Sequence, residues 1–271
     1  MEPLEPLQHF LPQVWFFILG LFLFLYVLLD GFDLGVGILS LTASSEERRS
    51  ILMTSLGNVW DANETWLVLM GGSLFGAFPL AYATILNALY LPAVIMVVGL
   101  ILRAVSFEFR ENANRKLVWN ITFGVGSFLA ALGHGFALGS VFEVLIGSTY
   151  LILKTEGELQ KTYFKTAAIA TWTTLAGAVF ITISTPAFSE EARAQLFTAP
   201  LVYIFAAIPL VGLLFIGLLL RSLYRREENT PIIWTFLVFS LSFIGLCFII
   251  FHYIIPPSVN IFDAVFYTNL A

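Results

Sequence analysis

Asp30 and Asp33 stand inside an apolar run that carries no other charge from Trp15 to Leu41. An aspartate at the centre of a membrane-spanning helix costs roughly 2.5–3.5 kcal/mol on insertion scales, so the pair requires several kcal/mol of compensation. Three residues apart on a helix, the two share a face. Gly31 and Gly35 mark an adjacent face as a small-residue seam where another backbone can approach. Carboxyls held this way can exchange protons or pair with a cation; the plainer alternative is hydrogen bonding to neighbouring helices. A second pair, Asp61 and Glu64, opens the next apolar segment in Trp60-Asp61-Ala62-Asn63-Glu64-Thr65-Trp66, which continues to Gly72 and Gly76. Arg103 and Glu108 close the third, in Leu102-Arg103-Ala104-Val105-Ser106-Phe107-Glu108. Four acids against one embedded arginine leave an excess of negative charge. Like charges and desolvation both favour the neutral carboxyl, so at least one of these groups is expected to carry a proton at neutral pH. A row of titratable acids reaching inward from one membrane face suits proton conduction.

The elements that position these groups follow from composition. The chain has 271 residues, 59% hydrophobic and 11% charged, against about 25% charged in soluble domains. It reads as an all-α, polytopic transmembrane bundle forming a single integral membrane domain over residues 1–271. With about 20 apolar residues per crossing, spans are expected near 14–41, 55–78, 82–105, 117–138, 142–153, 166–186, 199–221 and 232–254, with a ninth from about 262. The first is expected to be a retained span, since its apolar run far exceeds a signal h-region. Connections after the odd-numbered spans carry Arg48 and Arg49; Arg110, Arg115 and Lys116; Lys154, Lys161 and Lys165; Arg221, Arg225 and Arg226. The alternate connections carry only Arg193. The positive-inside rule therefore places the basic loops in the cytoplasm and the N-terminus on the periplasmic or lumenal side. Asp33 then lies about 12 Å from the inner end of its run and Asp61 about 16 Å past Ser50. These depths are close enough for the two to meet, with Asp61 the deeper-packed member of its pair. The fifth and ninth spans are short: Phe142 to Leu153 gives about 18 Å of helix against a hydrocarbon core of ~30 Å. Residues are accordingly expected to be missing near 141/142 and towards the C-terminus.

Three histidines and one cysteine, Cys247, are present, so neither a disulfide framework nor a cysteine-based metal site is available. Haem iron is commonly held by His or Met. His134 and His252 lie within spans, His9 in the outer leader; interhelical hydrogen bonding is the simpler role for the two embedded ones. No redox metal of the chain's own is expected, and no nucleic-acid partner.

The motifs Asp30-Gly31-Phe32-Asp33-Leu34-Gly35-Val36-Gly37, Trp60-Asp61-Ala62-Asn63-Glu64-Thr65-Trp66-Leu67, Gly71-Gly72-Ser73-Leu74-Phe75 through Phe78-Pro79, and Leu153-Lys154-Thr155-Glu156-Gly157-Glu158-Leu159 resemble, in order, those of subunit II of the cytochrome bd family of quinol oxidases. The resemblance continues through Ile254-Ile255-Pro256-Pro257-Ser258 and Phe262-Asp263-Ala264. It implies a nine-helix subunit of a prokaryotic cytoplasmic or thylakoid-type membrane, paired with a subunit I that binds haem b, haem d and quinol. A small single-helix accessory subunit and a structural quinone or lipid in subunit II also occur in the family. The same resemblance implies that Asp61 relays protons from the cytoplasm towards oxygen reduction, with Asp30, Asp33, Glu64 and Glu108 nearby and Arg103 as countercharge. Two rival readings are a proton-coupled secondary transporter, which predicts inverted repeats and interrupted midplane helices, and a scaffold whose acids serve assembly alone.

Overall fold

A computed structural model describes residues 6–57, 59–135, 138–188, 201–251, 253–255 and 258–264. Among them are ten helices: α1 Pro6–Ser40, α2 Glu46–Leu56, α3 Trp60–Ala77, α4 Pro79–Ala88, α5 Tyr90–Arg110, α6 Lys116–His134, α7 Leu138–Lys154, α8 Gly157–Phe188, α9 Leu201–Tyr224 and α10 Thr230–Ile250. The all-α membrane architecture stands. Six helices (α1, α5, α6, α8, α9 and α10) are long and apolar enough to cross a bilayer. Much of their apolar surface is exposed, Phe17, Ile101, Trp172, Phe180 and Leu210 among it, which suits lipid as solvent.

Three boundaries depart from the sequence expectation, each for a local reason. The connection holding Arg48 and Arg49 is itself a helix, α2, in which Ser45 caps the Arg48 N–H at 3.3 Å and Glu46 and Glu47 occupy the first turn. Acids there complement the positive end of the helix dipole. Gly57, at φ 56°, ends α2 in a conformation that favours glycine, so the expected span 55–78 begins only at Trp60. The expected span 82–105 straddles a break at Leu89. Pro92, lacking an N–H, cannot bond back to Ala88, and its ring crowds that carbonyl. Pro79 likewise opens α4 at its first position. Finally, α6 stops at His134, and α7 starts at Leu138 instead of near 142. Its 17 residues give about 26 Å of helix, longer than expected though still under a full hydrocarbon thickness. The expected ninth segment lies mostly outside the described residues. In its approach is an antiparallel ribbon that the sequence pattern did not announce, β1 Tyr253–Ile255 with β2 Val259–Asn260.

The chain divides into two compact units. One comprises Met1–Asp30, Asn58–Val94 and Leu246–Ala271. Its core gathers Phe16 and Leu19 of α1, Phe78 and Ala81 around α4, and Ile261 and Ala264 after the ribbon. The Phe16 ring meets Phe251 edge-on at 5.9 Å.

The other unit comprises Gly31–Gly57 and Ile95–Gly245, and glycine-mediated close approach organises it. A Cβ added to Gly35 of α1 would sit 1.9 Å from the Glu143 carbonyl oxygen of α7, and one on Gly147 would sit 2.6 Å from the Gly35 carbonyl carbon. The seam expected at Gly31 and Gly35 thus has α7 as its partner. Gly37 meets Ser127 of α6 in the same manner, and Gly99 of α5 meets Gly126 of α6. Small residues permit this approach and the dispersion contacts that come with it, the main attraction between helices that have lipid, not water, as the alternative neighbour. At the C-terminal end of α5, Arg110 donates to Glu46 at 2.6 Å, Ser50 at 2.7 Å and Asn120 at 2.5 Å, while Asn120 donates to Glu46 at 2.5 Å. This network laces α2, α5 and α6 together.

Candidate functional site

In the first unit, Asp30 is fully buried near the middle of α1. Beside it, the buried Asn63 side chain of α3 donates to the Leu29 carbonyl at 3.4 Å, fixing the first turn of α3 against α1. Helical period then sets the other side chains. Asn63 faces inward, so Asp61, about 200° around the axis, faces away and is exposed, while Glu64 is half-buried. The expectation that Asp61 is packed more deeply than Glu64 is therefore corrected. Asp61 shares its outward stripe with Thr65, Val68, Gly72 and Gly76, all exposed. Beyond Gly71, Gly72 and Gly76, a Cβ would meet nothing within 4 Å.

In the second unit, Asp33 is fully buried and Arg103 is 1% exposed. Arg103 sits one turn past Gly99, where α5 lies tightest on α6, with its own backbone nitrogen 2.8 Å from a Cβ placed on Gly126. The preceding Phe32 stacks on Tyr150 of α7 at 4.4 Å between ring centroids, and the Tyr150 hydroxyl donates to the Ser55 carbonyl at 2.6 Å. These contacts hold α1 and α7 in fixed rotation where Asp33 lies. Glu108 is exposed near the C-terminus of α5, two residues before the Arg110 network.

One buried acid was not anticipated. Glu143 of α7 is 2% exposed and lies 2.8 Å from His134 Nδ1 at the end of α6. The signal existed, as a single carboxylate in the otherwise uncharged stretch Leu138 to Leu153. Treating residue 142 as the ragged start of a short span hid it. The interhelical hydrogen-bonding role expected of His134 is the one it has. His252 lies outside the described residues, and of His9 only the helical backbone is described. Among the described residues no group of three or more His, Cys, Asp or Glu side chains is placed to hold a metal ion.

Buried carboxyls on α1, an exposed acid at the start of α3 and a buried arginine on α5 are the parts found when protons or charge must move through an apolar medium. A family model for cytochrome bd terminal oxidase subunit II matches residues 11–144 and 141–268. The cytochrome bd ubiquinol oxidase subunit 2 of Bacillus subtilis (strain 168) is 29% identical over 263 residues, covering 83% of this chain and 75% of that protein. The cytochrome bd-I ubiquinol oxidase subunit 2 of Escherichia coli (strain K12) is 27% identical over 203 residues, or 60% of this chain and 54% of that one. The chain thus spans about half the length of the Escherichia coli relative. With the family model accounting for nearly all of the sequence and the helices those of an integral protein of the bacterial cytoplasmic membrane, the chain belongs to the cytochrome bd terminal oxidase subunit II family.

Proposed function

We propose that this chain is the haem-free subunit of a membrane quinol oxidase that reduces oxygen to water, and that it carries part of the route by which protons reach that reaction from the cytoplasm. Haem b and haem d belong, in this reading, to the partner subunit I, as does the quinol site. The whole chain acts as one membrane domain with its N-terminus on the periplasmic side. Asp61 is the main relay. Glu64, Asp30 and Asp33 hold further exchangeable protons, Glu108 gathers protons at the inner surface, and Arg103 balances the buried negative charge.

The observation that carries this reading is the outward aspect of Asp61. Asp61 is exposed in the first turn of α3, and further along the same face the exposed Gly72 and Gly76 leave room for another helix to pack closely. Both suit a surface covered by a companion polypeptide, into which Asp61 passes a proton. Charge separation across the membrane then follows from taking up protons on one side only. A carboxyl in this position must lose and regain its proton in every turnover, and an amide of the same shape cannot.

The test is Asp61→Asn in the purified complex, followed by visible spectra and quinol-driven oxygen uptake. Uptake is expected to fall by roughly 10²-fold, the low end of what a positioned proton-transfer group contributes, with the haem bands unchanged. Loss of the bands would instead assign Asp61 to assembly, and purification without any haem-bearing subunit would favour proton-coupled transport.

A further inference from the structure

The pair formed by His134 and Glu143 stands apart from the acids considered so far. It joins the end of α6 to the second turn of α7, with the Glu143 side chain 3% and the His134 side chain 14% exposed. The carboxyl is held in place by backbone. Gly35 and Gly147 press α1 against α7 at the Glu143 carbonyl, and Gly31 of α1 faces the Glu143 Cγ across 4.0 Å measured from an added Cβ. Next to Glu143, the Phe142 ring stacks on Phe239 of α10 at 5.2 Å, packing α7 against α10 at this level.

An imidazole and a carboxyl at 2.8 Å in such a place are stable when they hold one proton between them. Whether the proton sits on the ring or on the acid, the pair is then neutral overall, which avoids the desolvation cost of a lone buried ion. We propose that His134 and Glu143 form a proton-binding dyad inside the membrane, exchanging a single proton when the charge around them changes. The charged groups of the same unit on the elements packed against it set that response: Asp33, between Gly31 and Gly35 on α1; Arg103 on α5, which packs on α6; and, on α7 itself, Tyr150 and Lys154. The helix α8, packed along α7, carries Glu158, Lys161 and Lys165 in its first turns and no charged residue from Thr166 to Phe188. The α10 segment Thr230–Ile250 brings no charged residue, with Cys247 its sole titratable side chain. This dyad goes beyond the Asp61 route and does not depend on it, because proton binding is read without turnover.

Infrared difference spectra of the purified complex between acidic and neutral pH, in light and heavy water, test it. A deuterium-sensitive C=O band of a protonated carboxyl is expected in the wild type, absent from Glu143→Gln. In His134→Gln, which leaves the acid in place, the midpoint of that band is expected to move by about one pH unit, a tenfold change in proton affinity. Haem content and thermal unfolding check that each variant is assembled. Should Glu143→Gln fail to assemble, Glu143→Asp is expected to shift the same band. A band present in Glu143→Gln as in the wild type, or indifferent to His134→Gln, overturns the proposal.

Discussion

Gly35→Ala is the sharpest test of the packing that holds the buried acids. The new methyl would lie 1.9 Å from the Glu143 carbonyl oxygen, 2.7 Å from its carbon and 2.9 Å from the Gly147 Cα. Ordinary carbon–oxygen contact needs about 3.3 Å, so α7 must retreat by roughly 1.4 Å, because the obstacles are backbone and no rotamer change removes them. Overpacking of this kind costs typically about 1–3 kcal/mol, and the retreat also pulls Gly147 away from α1. A loss of about 2–3 kcal/mol is expected, at the upper end of that range, because the helix must move as a body. Gly20, on the same helix, supplies the control. A Cβ there meets nothing within 4 Å, and alanine in a helix interior is favoured over glycine by up to about 1 kcal/mol. Unfolding of the purified chain by a denaturing detergent, followed by tryptophan fluorescence, measures both. Gly35→Ala is expected to unfold at markedly lower detergent fraction than wild type, and Gly20→Ala at an equal or higher one. Equal midpoints for the two variants would refute the close approach of α1 and α7, and with it the positioning of Glu143.

Other outcomes follow from the same geometry. Tyr150→Phe removes the hydroxyl's bond to the Ser55 carbonyl but keeps the stack on Phe32, so about 1 kcal/mol of stability should be lost, with oxygen uptake by the complex retained. Arg110→Ala unlaces α2 from α5 and α6 and should cost about 1–3 kcal/mol; limited proteolysis should then cut within residues 41–57 much faster, and Arg110→Lys should restore only part of the protection. Asp61→Glu should recover a large part of the uptake lost in Asp61→Asn, whereas Glu108→Gln, altering an exposed acid among water-accessible neighbours, should slow uptake by less than Asp61→Asn does.

What could be read from the sequence was governed by whether a residue's surroundings lay along its own helix. The acids of α1 and the seam at Gly31 and Gly35 were legible, because charge and small residues in an apolar run are costly or purposeful wherever the helix ends up. The boundary at Pro79 was legible too, falling between the expected spans 55–78 and 82–105, whereas the equally local break before Pro92 was overlooked in counting apolar residues, since a hydropathy window does not see a missing N–H. The identity of the partner across the Gly35 seam was not legible. It depends on α7, which begins at Leu138 and not near 142, so that Glu143 lies in its second turn and not at the edge of a short span. That displacement is why Glu143 was missed.

Asp30 and Asp61 make the consequence concrete. They are the same residue type in two motifs of similar appearance, but Asp30 is buried on α1, while Asn63 turned to Leu29 commits α3 to a rotation that leaves Asp61 exposed. A buried carboxyl on α1 is enclosed by its own chain, so replacing it changes this subunit's charge balance first. Asp61, on the outer stripe with Gly72 and Gly76, has its environment completed by whatever packs there. The proposed relay therefore depends on a surface this chain leaves open. On that argument the amide at position 30 should show itself in assembly and stability, and the amide at position 61 in the rate of oxygen uptake.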